Sequence, residues 1–314
     1  MALTDTLTRE SGIRPTCVQP GGGWCVQLEL AWGRLRRRWL RRFRPDYVQR
    51  LAARRQGECP DCPHDIIDPR DLKYWRNVCG YHFRSEDDAF QWRERLGFAR
   101  AGFCELIVFG TLFGALTLAF VVLAAAWHVL FWLPAAGAGF CLFETFFFFR
   151  DPERTIPLDA DVLVSPADGT ITDVGIVDDA DFPGGRAFRI SIFLSIFNVH
   201  VNRLPRSGRV TDVRYFPGAF LDARHPDCAR RNEQLWIDLD DAGRLLRVKQ
   251  ISGAIARRIV CWLKPGETVR AGARLGMIKF GSRTEVLLPV ESAREVLVKV
   301  GDKVQGGSSV LLRL

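Results

Sequence analysis

The sequence predicts a mainly β protein: a barrel-sandwich domain of the biotinyl/lipoyl kind, preceded by a helical membrane hairpin and a small zinc ribbon. Three observations carry this. After Pro157 the chain breaks into short, β-branched runs bounded by Gly, Pro or Asp. From Leu106 to Phe143 there is no Asp, Glu, Lys or Arg. Upstream, Cys59-Pro-Asp-Cys62 and Cys79-Gly-Tyr-His82 make two short ligand pairs separated by sixteen residues.

With 314 residues the chain has room for about two domains. Residues 1–56 form a basic N-terminal segment. The net charge of +8 is unevenly spread, because ten arginines lie between Arg34 and Arg55, where Asp46 is the only acid. Such a block favours a polyanion, and a solvated basic helix is the plainer alternative. Trp24, Trp32 and Trp39 interleave with the arginines. Trp prefers the membrane interface and Arg gains from anionic headgroups, so the expected partner is anionic membrane lipid and not nucleic acid. The basic run Leu28–Arg55 reads as helix broken at Pro45, and Gly21-Gly22-Gly23 as a linker. The nine cysteines form no dense framework, and the start Met-Ala-Leu-Thr-Asp lacks a basic and then apolar leader. A reducing, cytoplasmic setting is expected, with cysteines serving as metal ligands or small apolar residues.

Residues 57–84 make the zinc-ribbon-like module. A tetrahedral zinc ion takes two ligands from each tight knuckle, and the loop lets the knuckles face each other. The expected ligands are Cys59, Cys62, Cys79 and His82, with His64 able to stand in for His82. No open coordination position is implied, so the role is structural.

Residues 85–150 are the lead-in and hairpin. Ser85-Glu-Asp-Asp88 reads as a capped helix start, followed by apolar Phe90, Trp92, Leu96 and Phe98. The uncharged stretch of 38 residues would extend about 57 Å as one helix, nearly twice a ~30 Å hydrocarbon core. Two segments are therefore expected, turning near Trp127-His128 or at Pro134–Gly139. A re-entrant wedge is the alternative, because Glu144 stands near the end of the second segment. Arg93, Arg95 and Arg100 flank its start and Arg150 and Arg154 its end, so the positive-inside rule places both ends in the cytoplasm.

Residues 151–314 hold the expected strands: Val162–Val164, 170–177, 189–196, 210–216, 235–239, 246–251, 255–263, 274–280, 285–288 and 295–300. A repeat of period 35 runs through them, because Lys264-Pro-Gly266-Glu267-Thr-Val269-Arg-Ala-Gly272 answers Lys299-Val-Gly301-Asp302-Lys-Val304-Gln-Gly-Gly307. Paired strand-turn units of this kind suggest the two halves of a barrel-sandwich.

Within this domain Leu275-Gly-Met-Ile-Lys-Phe280 leads into Gly281-Ser282, and Arg-Thr-Glu285-Val-Leu-Leu-Pro289 leads out. Gly281 allows strained backbone angles, and Ser282 puts a hydroxyl within reach of the carbonyl before it. That pairing suits self-cleavage: the hydroxyl attacks the peptide carbonyl, the bond becomes an ester, and elimination and hydrolysis leave an N-terminal pyruvoyl group. Alone, the dipeptide reads equally as a hairpin turn, as Gly307-Ser308 does.

Four further motifs precede it in order: Phe148-Phe149-Arg150-Asp151-Pro152-Glu153-Arg154, Ser165-Pro166-Ala167-Asp168-Gly169, Phe193-Leu-Ser-Ile-Phe-Asn-Val-His200-Val-Asn202-Arg203 and Pro217-Gly-Ala-Phe-Leu221. With Gly281-Ser282 they resemble the phosphatidylserine decarboxylase proenzyme family in its short form, from about residue 100 to the C-terminus. The resemblance implies cleavage into a β chain, 1–281, and an α chain, 282–314. It implies a pyruvoyl cofactor on Ser282 that forms a Schiff base with phosphatidylserine and releases CO₂ and phosphatidylethanolamine. It also implies the inner cell membrane, with the catalytic domain on the cytoplasmic face. Homo-oligomerisation is left open.

Loss of CO₂ from an amino acid leaves a carbanion that side chains cannot stabilise, so a carbonyl cofactor is needed. His200 is the candidate base for Ser282, since imidazole titrates near neutral pH. Asp168 is the candidate to orient it, as a carboxylate does in Ser-His-Asp sites. The longer branch of the family has His-x-x-His before a proline; here His200 takes the first position and Arg203 the second. Arg203 is accordingly a candidate for binding the substrate's carboxylate or phosphate, or His200 serves both steps. The module at Cys59–His82 is not a family requirement. The alternatives are a non-enzymatic, membrane-anchored barrel-sandwich adaptor and a serine hydrolase built on Ser282, His200 and Asp168. Against the hydrolase, no Gly-x-Ser-x-Gly elbow surrounds Ser282.

Overall fold

The computed structural model describes residues 12–60, 62–159, 161–254, 258–279 and 281–314. Residues 1–11, Phe280 and the first residues of the expected strand 255–263 lie outside the described residues.

The basic run folds as two helices, α1 (Trp24–Phe43) and α2 (Pro45–Arg54), with the break where Pro45 takes the first helical position. Acids of the cysteine-bearing segment absorb part of the arginine block: Arg36 and Arg37 both reach Asp71, and Arg37 and Arg41 reach Asp65. The capped helix expected from Ser85 does not form. Short 3-10 turns at Ser85–Asp87 and Gln91–Leu96 replace it. The acids that looked like a first turn are used sideways: Asp87 pairs with Arg54, and Asp88 binds its own backbone at Phe90 and pairs with Arg100.

Two apolar helices follow, α3 (Phe103–Ala126) and α4 (Trp132–Phe148), packed together as a hairpin. They turn at Trp127-His128, where the His128 ring accepts the Leu130 N–H. Pro134 falls in the first turn of α4, where a missing N–H costs nothing, and so does not end the segment. Both are long and apolar enough to cross a bilayer. A short ladder closes the base: Ala99 N–H donates to Phe149 and Asp151 N–H to Gly97. Gly102 is required there, since a Cβ would come within 2.0 Å of the Phe149 ring.

The remaining chain is antiparallel β. Its strands are β1 (Val162–Val164), β2 (Gly169–Asp178), β3 (Arg186–Leu194), β4 (Val201–Arg203), β5 (Gly208–Phe216), β6 (Gln234–Asp241) and β7 (Arg244–Ser252). There follow β8 (Ile259–Cys261), β9 (Thr268–Val269), β10 (Arg274–Ile278), β11 (Ser282–Leu288), β12 (Glu295–Val296), β13 (Lys303–Val304) and β14 (Val310–Arg313). Eight form one sheet in the order β13-β2-β3-β11-β7-β6-β5-β9, and two three-stranded sheets, β4-β10-β8 and β1-β14-β12, complete the body. One core, including Ile190, Ile192, Leu235, Ile237, Val248, Leu275, Val286 and Leu311, runs through all three sheets. The strand expected at 295–300 is only two residues long, and β4, β9, β13 and β14 are additions.

The period-35 repeat is real in three dimensions. Residues 268–269 and 303–304 become β9 and β13, the two edges of the large sheet. Gly266 and Gly301 share left-handed φ values of 90° and 96°, and Gly272 and Gly307 share 74° and 80°. Each unit clasps a neighbouring strand alike: Gly266 N–H and Glu267 C=O bond to Val210 as Gly301 N–H and Asp302 C=O bond to Ile171.

Candidate active site

Strand β11 is central, flanked by β3 and β7, and Ser282 is its first residue, opposite Leu194 and Ser252. Its side chain is fully buried, and among the described residues its Oγ has no hydrogen-bond partner. Gly281 holds φ at +67°, a conformation costly to any residue with a Cβ. Its carbonyl presses on the adjacent chain: a Cβ on Gly253 would lie 2.3 Å from the Gly281 oxygen. A left-handed glycine just before the peptide bond and a hydroxyl without a described partner just after it suit intramolecular attack.

His200 stands against the N–H of Gly281, one peptide before the Gly281-Ser282 bond. Its Nδ1 bonds to the Asn198 carbonyl at 2.9 Å, which fixes the proton on Nδ1 and leaves Nε2 to accept the Gly281 N–H at 3.2 Å. The ring packs on Phe148 at 4.2 Å between centroids. Burial of the whole imidazole lowers its pKa to about 3, with the Arg150 charge adding to the effect and the Asn198 bond opposing it. His200 is therefore a neutral base whose Nε2 lone pair is occupied by the Gly281 N–H, next to Ser282. Beneath Ser282 on the same face of β11, Thr284 Oγ accepts from Asn202, whose own oxygen accepts from Gln250.

Asp168 is placed elsewhere. It takes a two-oxygen bond from Arg154 at 2.7 and 2.9 Å and the Gly306 N–H at 2.7 Å. The expected Asp168-to-imidazole bond is replaced by the Asn198 carbonyl, because Nδ1 has room for one partner. Arg203 is buried too, with its guanidinium divided among Asp151 at 2.8 Å and the carbonyls of Pro152 and Gly272. Its donors are taken up by protein, at the edge of a cavity that Asp151 and Arg274 also line.

At the cysteine module the structure gathers Cys59, Cys62 and Cys79, with their sulfurs all within 4.8 Å of one another. Cys62 and Cys79 are 3.4 Å apart. His82 and His64 stand outside the group: the His82 backbone pairs with Gln56, and the His64 ring stacks on Trp75 at 3.8 Å. Three close thiols in two knuckles fit a zinc ion, which needs thiolate donors at about 2.3 Å.

Sequence reasoning missed three contributors. Asn198 acts through its carbonyl, which no side-chain pattern reveals. Gly253 acts through the lack of a side chain. Lys279, two residues before Gly281, forms a buried ion pair with Glu105 in the first turn of α3.

A family model described as phosphatidylserine decarboxylase matches residues 143–312. A phosphatidylserine decarboxylase proenzyme of Rhodopirellula baltica is 43% identical over 249 residues, covering 77% of this chain and 98% of the relative. That of Carboxydothermus hydrogenoformans is 44% identical over 222 residues, covering 71% and 99%. That of Desulfotalea psychrophila is 47% identical over 168 residues, covering 53% and 78%.

Proposed function

The chain belongs to the phosphatidylserine decarboxylase family, and from that premise we propose how its own residues perform self-cleavage and decarboxylation. As a member it is a pyruvoyl-dependent carboxy-lyase that is made as a proenzyme and turns phosphatidylserine into phosphatidylethanolamine and CO₂.

Ser282 is the self-cleaving residue in this reading. Its Oγ attacks the Gly281 carbonyl, the C–N bond breaks, and Gly281 is left as an ester on Ser282. Elimination releases the Gly281 carboxylate and leaves dehydroalanine at 282; water then displaces ammonia and leaves the keto group. His200 takes the hydroxyl proton, moving its Nε2 from the Gly281 N–H to Ser282 Oγ as that N–H is reorganised. The keto group supplies the electron sink that decarboxylation needs. Around it, His200 holds or delivers a proton at Nε2, Asn198 keeps the tautomer, and Phe148 excludes water. Asp168 and Arg203 act as positioning residues: Asp168 clamps Arg154 and the Gly306 turn, and Arg203 holds the 151–152 segment where the hairpin meets the β body. The single observation that supports this most is the Gly281 N–H on His200 Nε2 beside a buried, unpartnered Ser282 hydroxyl.

The hairpin is assigned to the membrane with both ends on the β body's side, which the flanking arginines place in the cytoplasm. The substrate headgroup would then enter at the hairpin base, where Phe148 meets His200. The cysteine module is assigned a structural zinc on Cys59, Cys62 and Cys79, with His82 as fourth ligand after a turn of its ring. The barrel-sandwich class is supported by the structural repeat. Intact-mass analysis of the purified protein tests the central claim. It should find two chains, the smaller beginning at 282 with its amine replaced by a keto group; a single unbroken chain with decarboxylase activity overturns it. The adaptor alternative has no observation of its own in its favour.

A further inference from the structure

Helix α1 carries an apolar stripe that, among the described residues, is covered only at its start, by Phe109 of α3. Trp24, Leu28, Trp32, Leu35, Trp39 and Phe43 recur at spacings of three and four and are 49 to 65% exposed. At ~100° per residue they cover a band about 100° wide. The opposite face is already committed, through Arg36 and Arg37 on Asp71 and Glu29 on Lys73 of the cysteine module, and through Cys25 beside Cys104 of α3; Gly33 and Leu40 are buried as well. The stripe is therefore not a core face left uncovered by a missing contact with that module.

Along one edge of the stripe stand Arg34, Arg38 and Arg42, one per turn. All three are exposed, and among the described residues they make no ion pair. Their neighbours Arg36, Arg37 and Arg41 are taken by Asp71 and Asp65. The six arginines of α1 are thus divided, three neutralised by protein and three without an ion pair among the described residues, beside tryptophan.

The stripe also has a fixed height. Trp24 meets Phe109 of α3 edge-on, with ring centroids 5.8 Å apart and planes at 87°. Phe109 lies six residues into α3, about 9 Å along its axis at ~1.5 Å per residue. An interfacial helix buries its apolar face roughly 5–10 Å into the headgroup and acyl boundary. The stripe begins where the hairpin would enter hydrocarbon.

We infer that α1 lies in the membrane interface, with its Trp24-to-Phe43 stripe in the lipid and Arg34, Arg38 and Arg42 on anionic headgroups. Its occupant is an anionic lipid surface, chosen over a second copy of the chain because the stripe is continuous with the hairpin and edged by free cations. The inference takes its plane of reference from the membrane reading of α3 and α4. The N-terminal segment thereby gains a role, since α1, backed by the cysteine module, fixes the tilt of the β body over the bilayer.

The test uses full-length protein in vesicles of phosphatidylcholine and phosphatidylglycerol carrying lipids brominated near the headgroup or deep in the chain. One variant, W127F/W132F, keeps the α1 tryptophans; another, W24F/W32F/W39F, keeps those at the hairpin turn; a third with all five replaced gives the background. Production of two chains shows that each has folded. The first variant should be quenched more by shallow than by deep bromine, roughly twofold above background. Replacing Arg34, Arg38 and Arg42 by Gln should remove the dependence of that quenching on phosphatidylglycerol. If the first variant matches background while the second is quenched, the hairpin reading survives and this inference is overturned. If the first is quenched and the second is not, the inference stands and the hairpin reading fails. If neither is quenched, both fall. A crosslink at residue 32 between two copies, with no quenching of the first variant, identifies a dimer face and overturns the inference as well.

Discussion

Lys279 and Glu105, separated by 174 residues, form an ion pair buried at the foot of the apolar hairpin. Lys279 ends the approach to Gly281, and Glu105 sits in the first turn of α3. The seat of the hairpin and the cleavage site are therefore mechanically joined. Removing one partner leaves an uncompensated buried charge, worth about 3–5 kcal/mol. Glu105→Ala is expected to lower the thermal midpoint and to slow the appearance of two chains. The double variant E105L/K279M should recover most of the stability. Equal midpoints for E105A and wild type would show that the pair carries no weight.

The buried imidazole of His200 makes a second prediction, about pH. Its pKa in the folded protein is lowered to about 3, below the ~6.5 of an exposed histidine. The unfolded chain then binds the proton first as pH falls. Stability from neutral His200 is complete above about pH 6.5 and is lost progressively down to about pH 3, by up to ~1.4 kcal/mol per pH unit. His200→Gln should flatten that part of the stability profile by one proton. It should also slow self-cleavage by roughly 10²- to 10⁴-fold, the usual worth of a positioned base. In the wild type, the cleavage rate should show no inflection near pH 6.5; such an inflection would mean that the imidazole is solvated before cleavage.

Arg203 is engaged with Asp151 and with two carbonyls. Arg203→Met should therefore act on stability, by roughly 3–5 kcal/mol for a buried, paired charge removed from one side. Among molecules that still fold, KM for the lipid should stay within about twofold of wild type. A large rise in KM without a fall in midpoint would restore a direct role in substrate binding.

At the cysteine module, one zinc per chain is expected by elemental analysis of the purified protein. Cys79→Ser should reduce that content and lower the midpoint of the N-terminal region, because a small knuckle without a core depends on its metal. His82→Ala decides the fourth position: retained zinc at unchanged affinity assigns it to another donor.

Much of this architecture was legible in residue order. Strand alternation located β5, β6 and β7 to within two residues at either end, and the repeat was visible in the sequence although the short strands β9 and β13 that it forms were not. The hairpin followed from its lack of charge. The site was legible as residues but not as partnerships. Ser282, Gly281 and His200 converge as their motifs suggest, whereas Asp168 belongs to Arg154 and Arg203 to Asp151. A side chain's type states what it can bond to, and only the fold decides which candidate arrives. Ser85-Glu-Asp-Asp88 shows the same limit, since a good cap lost its acids to Arg54 and Arg100 across the chain.

The two glycines at the cleavage site separate conformational strain from crowding. At Gly281 a Cβ would meet nothing within 4 Å, so Gly281→Ala meets only the penalty of φ +67°, about 1–2 kcal/mol. If that penalty is felt equally before and during attack, the protein loses stability but cleaves at nearly the wild-type rate. At Gly253 the backbone is not left-handed, and the obstacle is the Gly281 oxygen itself, 2.3 Å from the new methyl group. Gly253→Ala must push the scissile carbonyl away from its present position relative to Ser282 Oγ. Misplacement of reacting atoms by about 1 Å costs on the order of 10²-fold in rate. Gly253→Ala is therefore expected to accumulate the uncleaved chain, and Gly281→Ala to cleave at a rate within about tenfold of wild type. Gel separation of the two chains over time reads both. Should Gly253→Ala cleave normally, the carbonyl's present position has no bearing on the reaction, and attack must begin from a different backbone arrangement.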